Sequence, residues 1–481
     1  MPDAPFATLV LAAGKGTRMK SDLPKVLHDI AGRPMIAWAV GAALEAGSAK
    51  VVAILGHGRE EVEAALADRF DARVTSALQA EQRGTGHAAR SGLPALDGFD
   101  GDVLITCGDV PLLEPEALGD LAALRRASGA PLAVLTCRAP DPTGYGRILR
   151  NADGRVVGIR EHKDASPEER RIDEINSGVY AADAAFLREA LEHLSDDNAQ
   201  GELYLTDIVA RAAERGGAAA LDWPFTSILG VNDRAQLAEA TARMRRRIAI
   251  GHARNGVTFA DLDRASIDAE VRIARDARLE VGVVLRGRTV VGEGAFIDVG
   301  CVLENVEVAA GAHLRPYSVA LESRVGPGAK VGPFSHLRPG SDLGPSVHVG
   351  NFVETKKTRM AEGAKANHLA YLGDGVIHEG VNVGAGTIFC NYDGFQKHVT
   401  TLEKGAFIGS DSQLVAPITV GENAYVATGT TVTKDVPKDA LAVGRVRQSN
   451  KEGYAARLRV KLKAAADEAK AAKAAKASKT E

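Results

Sequence analysis

The stretch IDAEVRIARDARLEVGVVLRGRTVVGEGAFIDVGCVL, residues 267–303, puts an aliphatic side chain at every sixth position: Ile267, Ile273, Leu279, Leu285, Val291, Ile297 and Leu303. Small or β-branched residues often follow four positions later, at Val271, Ala277, Val283, Thr289, Ala295 and Cys301. Unrelated short strands would not hold one period over seven aliphatics. A hexad suits a parallel β-helix, in which each short strand stacks on the one below at about 4.8 Å. The aliphatic side chain points into the prism, and Gly, Asn or Asp serves the corner. The pattern slips and resumes at Val325, Val331, Leu337, Leu343 and Val349, again at Ile377 and Val383, and finally at Ile408, Leu414, Val420, Val426 and Val432. The breaks at residues 355–371 and 389–404 are expected to be loops leaving the coil, where solenoids carry function.

Upstream, roughly the first 230 residues alternate strand-like and helix-like segments. TLVLA (8–12) reads as a buried strand, 35–46 as a helix, KVVAIL (50–55) as a strand, 60–70 as a helix and DVLIT (102–106) as a strand. This order argues for a mostly parallel α/β sheet with helices on both faces, and ligands in such sheets sit beyond the carboxyl ends of strands. Residues 14–18 and 107–109 both lie at such ends. The expected division is a nucleotide-binding α/β domain over 1–232, a linker helix over 233–252, the hexad domain over 253–456 and a low-complexity basic tail over 457–481. The tail, KLKAAADEAKAAKAAKASKTE, favours helix by its alanines but offers no apolar stripe to bury, so it is expected to fray.

Bulk composition excludes several classes. A chain of 481 residues exceeds one ordinary core, and its 45% hydrophobic and 25% charged residues are those of a globular protein. A formal charge of -3 gives no global basic field for nucleic acid. The four cysteines are scattered without a CxxC pair, so neither a disulfide framework nor a thiolate zinc site follows. No secretory signal is expected in residues 1–10 and no run of about 18 apolar residues is present to span a membrane. A cytoplasmic protein without nucleic-acid or membrane partners is the expectation.

The first strand runs into LAAGKGTRM (11–19). Two glycines let backbone N–H groups close on a phosphate, and Lys15 and Arg18 add positive charge. The motif lacks the third glycine of a dinucleotide fingerprint and the GK[ST] of a P-loop. LPK (23–25) supplies a second lysine fixed behind a proline. LAAGKGTRM with LPK resembles the sugar-nucleotide pyrophosphorylases, which join a sugar 1-phosphate to a nucleoside triphosphate. QAEQRGTGH (79–87), DPTGYGRI (141–148), EHKD (161–164) and EINSG (174–178) narrow the resemblance. Together they are similar to the bifunctional bacterial N-acetylglucosamine-1-phosphate uridyltransferase/glucosamine-1-phosphate acetyltransferase family, over nearly the whole chain.

The resemblance implies a Rossmann-like N-terminal domain, a left-handed β-helix and a set of roles. Leu11, Ala12, Ala13, Gly14 and Lys25 would hold the nucleotide phosphates, and Gln79, Gly84 and Thr85 would read the uracil. Cys107, Gly108 and Asp109 would line the same pocket, and Gly146, Glu161 and Asn176 would hold the sugar. Asp109 and Asn232 would coordinate Mg²⁺, a hard ion suited to carboxylate and amide oxygens. Cys107 departs from the Tyr common in the family, which leaves only its backbone contact implied. No protein nucleophile is needed, because the sugar phosphate attacks the α-phosphorus of UTP and expels pyrophosphate.

The C-terminal candidates gather at the breaks of the hexad. Acetyl transfer to an amine needs a base, for which histidine is well matched. His368 is that candidate, and the resemblance assigns it the role. Arg338, Lys356 and Tyr371 would hold glucosamine 1-phosphate, with Asn382 and, more weakly, Lys397; Glu354 lies beside them. Asn391 would position the amine or the base. Ala385, Asn391, Tyr392, Ser410, Thr428 and Arg445 would line the acetyl-CoA groove, Thr428 replacing the usual Ala. His336, His348, His368 and His378 raise a zinc alternative, although their spacing matches no metal geometry we can place. The resemblance also implies a homotrimer, with acetyl-CoA and UTP as co-substrates and a product used for cell-wall precursors. Two other functions remain on the page: a nucleotidyltransferase with a merely structural β-helix, and a scaffold that binds sugar nucleotides.

Overall fold

The computed structural model describes residues 5–477; the readings that touch residues 1–4 and 478–481 fall outside the described residues. The chain forms two compact units, the first ending at Phe352 and the second starting at Val353.

The first unit opens with a nine-stranded sheet. Its strands are β1 (Phe6–Ala12), β2 (Lys50–Leu55), β3 (Val74–Leu78), β4 (Asp102–Cys107), β5 (Leu132–Arg138), β6 (Arg147–Arg150), β7 (Val156–Arg160), β8 (Glu174–Asp183) and β9 (Ala219–Asp222). The order across the sheet is β9-β5-β8-β4-β1-β2-β3, with β6 on β8 and β7 on β6. Strands β4, β1, β2 and β3 run parallel, whereas β8 is antiparallel to both β4 and β5. The central strands are apolar at nearly every position because helices cover both faces, one layer around Ile36, Val40 and Leu118 and the other around Ala89, Leu187 and Ile208. The segments read as strands or helices from the sequence lie inside or within a few residues of β1, the helix Met35–Glu45, β2, the helix Arg59–Ala67 and β4.

The connecting helix, Arg234–Arg254, starts at Asp233, whose carboxylate accepts from the Gln236 N–H at 2.9 Å. It buries Ala240 and Met244 against Ile30, Ala31, Met35, Leu112 and Val231. That contact fixes the helix to the sheet domain. A short hairpin, Asp29–Ile30 with Arg33–Pro34, leans the other way: the Ala269 N–H reaches the Ala31 carbonyl at 2.9 Å and Arg33 pairs with Glu270 at 2.8 Å.

From Thr258 onward the short strands of the first unit stack into three parallel sheets, and the strands of the second unit do the same. In each unit these coils are those of a left-handed parallel β-helix. Ile267, Leu285, Val291, Ile297 and Leu303 are fully buried, and so are Ala277, Val283, Thr289, Ala295 and Cys301 at the alternate positions.

The slips in the hexad have a local cause. From Leu303 to Val308 and from Ala320 to Val325 the inward residues are five apart, and the turn between them holds Asn305 and Glu322 at φ of 54° and 42°. A left-handed corner residue closes the turn one residue early. The second unit repeats this from Thr355 to Met360 across Lys357 and from Leu372 to Ile377 across Asp374.

Residues 355–371 therefore do not leave the coil, contrary to the sequence expectation. They form strands Glu354–Lys356, Arg359–Met360, Lys365–His368 and the start of Tyr371–Gly373. Inward Thr355, Thr358 and Ala366 are fully buried but not large aliphatics, so the periodic signal was absent although the fold was not. Over residues 389–404 the excursion is narrower than expected: strand Ile388–Cys390 precedes it and Thr400–Leu402 follows it. The tail also differs, being a continuous helix, Tyr454–Ala477, exposed wherever its side chains are described. Its alanines carry the helix, and the missing apolar stripe leaves it undocked. Among the described residues no helix is long and apolar enough to cross a membrane.

Leu303→Ala removes a fully buried side chain from the prism, so about 2–5 kcal/mol of stability should be lost, read from the unfolding midpoint of the β-structure by circular dichroism. Val290→Thr, on the solvent side of a different wall of the prism, should stay within about 0.5 kcal/mol; equal losses would contradict the inward assignment.

Candidate functional site

The glycine-rich turn leaves the carboxyl end of β1. Gly16 sits at φ 62°, and a Cβ there would overlap the Lys25 side chain, so glycine is required both for the turn and for the approach of that lysine. At Gly14, by contrast, a Cβ would meet no protein atom, which leaves the backbone open to a ligand.

Lys25 ends among acceptors from two distant segments. Its ammonium is paired with Asp109, which follows β4, and donates to the Asn232 side-chain oxygen at 3.0 Å. Arg18 donates to the same oxygen at 2.9 Å. Asn232 reaches this place because the Val231 N–H binds the Asp109 carbonyl at 2.9 Å, tying the loop before the connecting helix to the end of β4. Leu11, Ala12, Gly14, Gly16, Thr17, Arg18, Lys25 and Asp109 surround a cavity of about 230 Å³ there. The expected phosphate and metal residues are thus brought together.

The 79–87 segment flanks this turn. Gln82 donates to the Ala13 carbonyl at 2.5 Å, and buried Gln79 spends its amide N–H on the Gly84 carbonyl at 3.1 Å. Thr85 accepts from the Leu205 N–H at 3.1 Å. Gly108 donates its N–H to the Leu11 carbonyl at 2.9 Å, and the Cys107 sulfur lies against Gly178. Burial, reinforced by the Asp109 charge, pushes the Cys107 thiol up to about 12.

The three expected sugar residues also converge. A Cβ on Gly146 would lie 3.5 Å from Glu161 Oε1 and 3.6 Å from the Asn176 Cβ, and the Asn176 N–H binds the Gly146 carbonyl at 2.9 Å. The register of β8 on β5 shifts between Asn176 and Tyr180, and the Asn176 amide donates across the irregularity to the Tyr180 hydroxyl at 2.7 Å. Burial raises the Glu161 carboxyl above the usual carboxylate range, a push only partly offset by the Thr206 hydroxyl at 3.3 Å. Gln82, Tyr180 and Thr206 escaped sequence reasoning. Gln82 lay inside a quoted motif, but the other two carry no local signal because only the fold brings them near.

Among the C-terminal candidates, Arg338 belongs to the first unit, half-buried at a corner where its carbonyl accepts from Ser341 at 2.7 Å. The others lie in the second unit. Tyr371 stacks in register between Glu354 and Ile388, and Lys356 lies over Gly373. A Cβ on Gly373 would stand 2.6 Å from both the Tyr371 hydroxyl and the Asn391 amide nitrogen, so these two side chains meet over a glycine. Buried Asn391 donates to Asp374 at 2.6 Å, a partner that sequence reasoning missed. Beyond it the 391–399 excursion turns back through a Tyr392–Lys397 bridge, with the Lys397 ammonium 5.8 Å from the Tyr392 ring centre.

One corner of the coils aligns four more candidates. The Gly386 N–H binds the Leu369 carbonyl at 3.0 Å, Asp411 N–H the Ala385 carbonyl at 2.7 Å, and Gly429 N–H the Ser410 carbonyl at 2.9 Å. His368, Ala385, Ser410 and Thr428 therefore occupy equivalent positions on successive coils, and Arg445 donates to the Thr428 carbonyl. Asn382 stands in the adjoining sheet, in register between Lys365 and Phe407. No cluster of three or more His, Cys, Asp or Glu suited to a metal occurs among the described residues.

Residues 8–206 match the family model of the MobA-like NTP transferase domain, the class that the sheet and its glycine-rich turn define. Relatives extend the match across both halves. The chain is 61% identical to the bifunctional protein GlmU of Sorangium cellulosum over 96% of this chain and 98% of that one. It is 50% identical to the GlmU of Trichlorobacter lovleyi, covering 93% and 97% of the two chains, and 49% identical to that of Geobacter sulfurreducens, covering 94% and 99%. The chain belongs to the GlmU family. It is a bifunctional enzyme, a uridyltransferase and an acetyltransferase.

The raised carboxyl of Glu161 sets a pH test. A proton held more tightly in the folded than in the unfolded chain favours folding at low pH, and this contribution is lost as pH rises through the folded value. Glu161→Gln should therefore melt above the wild type near neutral pH and lose that advantage as pH falls toward about 4. A melting difference independent of pH would contradict the assignment.

Proposed function

We propose that the enzyme first acetylates glucosamine 1-phosphate with acetyl-CoA and then transfers UMP from UTP to N-acetylglucosamine 1-phosphate, releasing pyrophosphate. The convergence of Lys25, Asp109, Asn232 and Arg18 at the mouth of the glycine-rich turn carries this reading, because it gathers phosphate-binding cations and hard oxygen donors at one point. Leu11, Ala12, Ala13, Gly14 and Lys25 hold the phosphates of UTP, and Gln79, Gly84 and Thr85 face the uracil. Gly146, Glu161 and Asn176 hold the sugar, with its phosphate oxygen directed at the α-phosphorus. Cys107 and Gly108 contribute backbone alone.

Asp109 and Asn232 fit Mg²⁺, since both side-chain oxygens already accept from a single cationic nitrogen. Bound there, the ion would neutralise triphosphate charge. Around it this chain's residues position the reactants in line, and no protein nucleophile intervenes.

In the β-helix, His368 takes a proton from the substrate ammonium so that the free amine attacks the thioester carbonyl, and the CoA thiolate leaves. Arg338, Lys356 and Tyr371 bind the sugar phosphate, with Asn382 and Lys397 as flanking contacts. Asn391, oriented by Asp374, fixes the amine. Ala385, Tyr392, Ser410, Thr428 and Arg445 line the acetyl-CoA groove along the aligned corner. The functional divisions are 1–232, 233–252, 253–456 and 457–481, and the setting is the cytoplasm, without nucleic-acid or membrane partners. A homotrimer forms through the β-helix, whose outer wall leaves the stacked pair Phe407–Tyr425 and Leu441 exposed.

The two activities should separate. His368→Ala is expected to lower acetyl transfer by roughly 10²-fold or more while uridylyl transfer to preformed N-acetylglucosamine 1-phosphate persists. Asp109→Asn should do the reverse, measured as pyrophosphate release in the presence of Mg²⁺. Acetylation surviving in His368→Ala would remove the base assignment, and unchanged pyrophosphate release in Asp109→Asn would remove the metal-site reading. Light scattering of the full chain should give three times the chain mass; a monomer would contradict the trimer.

A further inference from the structure

Arg147, at the first position of β6, is among the largest fully buried side chains of the described residues, 1% exposed. A buried guanidinium normally lies against a carboxylate, because the charge loses its hydration on burial. Here, among the described residues, its hydrogen-bond partners are neutral; the Asp141 carboxylate acts on it only through space, and the Arg170 guanidinium opposes that pull. One arm donates to the Tyr145 carbonyl two residues back along the chain. The other lies 3.3 Å from His162 Nδ1, and its Nε–H is left without a partner.

A guanidinium has donors only, so Nδ1 of His162 must accept and the ring proton sits on Nε2. The side chain thus ties together the segments just before β6 and just after β7, beyond the pairing of the two strands. Tyr145 immediately precedes Gly146, and His162 immediately follows Glu161. Gly146 and Glu161 form facing walls of the proposed sugar pocket, the Glu161 oxygen lying 3.5 Å from where a Gly146 Cβ would be.

Stability does not account for this arrangement. A charge buried against neutral acceptors, with one donor unmet, costs more than an apolar side chain of the same length would. What the fork gains is geometry: two N–H vectors of one rigid plane fix the distance between the two walls. We infer that Arg147 is a positioning residue for uridylyl transfer, a clamp behind the sugar pocket that sets the spacing of Gly146 and Glu161 without touching substrate.

This inference rests on the reading of Gly146, Glu161 and Asn176 as sugar contacts, and the experiment separates the two. In the full chain, Arg147→Met should raise the KM for N-acetylglucosamine 1-phosphate about tenfold or more, with the KM for UTP nearly unchanged. Acetyl transfer, performed by the β-helix of the same molecule, should be unaltered and so reports that the chain is folded. Arg147→Lys, which keeps the charge but loses the fork, should behave like Arg147→Met. His162→Phe should raise the same KM, whereas His162→Gln, which keeps an acceptor, should restore much of it.

A sugar-phosphate KM within twofold of wild type in Arg147→Met overturns the inference, and so does full rescue by Arg147→Lys. If Arg147→Met is recovered without acetyl transfer, the decision passes to His162→Phe, where an unchanged KM overturns it equally. Glu161→Gln is measured alongside. An unchanged sugar-phosphate KM in that variant overturns the pocket reading and the clamp together, while a raised one leaves any failure to Arg147 alone.

Discussion

A coil of a parallel β-helix has to return the chain directly above its own start, because the hydrogen bonds run from coil to coil and the inward side chains stack in columns. Closure tolerates little variation. Ile267, Leu285 and Leu303 are eighteen residues apart in turn, and Leu303, Ala320 and Leu337 seventeen, the lost residue being absorbed at a left-handed corner. When more chain must be accommodated it cannot enter the prism. Phe389 and Leu414 remain paired although twenty-five residues separate them, and the surplus is expelled into the 391–399 excursion.

That rule builds the acetyltransferase half. Corner positions repeat with the coil, so residues remote in sequence line up along one edge: His368, Ala385, Ser410 and Thr428 form such a line with backbone hydrogen bonds between their coils. The expelled segment is the part free to fold over a neighbouring coil, and it begins at Asn391, the residue that meets Asp374 and Tyr371 above Gly373. A line of corner positions and an expelled segment beside it follow from one constraint, with no element dedicated to either.

Sequence legibility followed the same physics. Wherever the inward position was a large aliphatic, as from Ile267 to Leu303, the period announced the fold. It went silent where Thr355, Thr358 and Ala366 point inward, because a buried threonine with its hydroxyl on a backbone carbonyl serves the column as well as valine does. Hence residues 355–371 read as a loop while being regular coil. In the first domain, strands and motifs were visible because each is local. The joining of Asp109 to Asn232 depends on one backbone hydrogen bond from Val231, and nothing in a linear reading announces such a contact across the domain.

The electrostatics of that junction bear on why two activities of different chemistry suit one chain. Before ligand binds, Lys25 and Arg18 face the carboxylate of Asp109 and the amide of Asn232, two cations against one anion within hydrogen-bond reach. On the proposed reading, a triphosphate and a sugar phosphate together bring more negative charge than these cations balance, which a divalent ion held by Asp109 and Asn232 would offset. The acetyl-transfer step develops no comparable charge on phosphorus. It requires a proton to leave an ammonium, and in the proposed mechanism His368, at an exposed coil corner, would pass that proton to solvent. One half is therefore built from converging charges at the end of a sheet and the other from repeated corners on a prism. On the proposed reading both halves must recognise the same phosphorylated amino sugar, Arg338 and Lys356 holding its phosphate in the β-helix and Gly146, Glu161 and Asn176 its ring in the sheet domain.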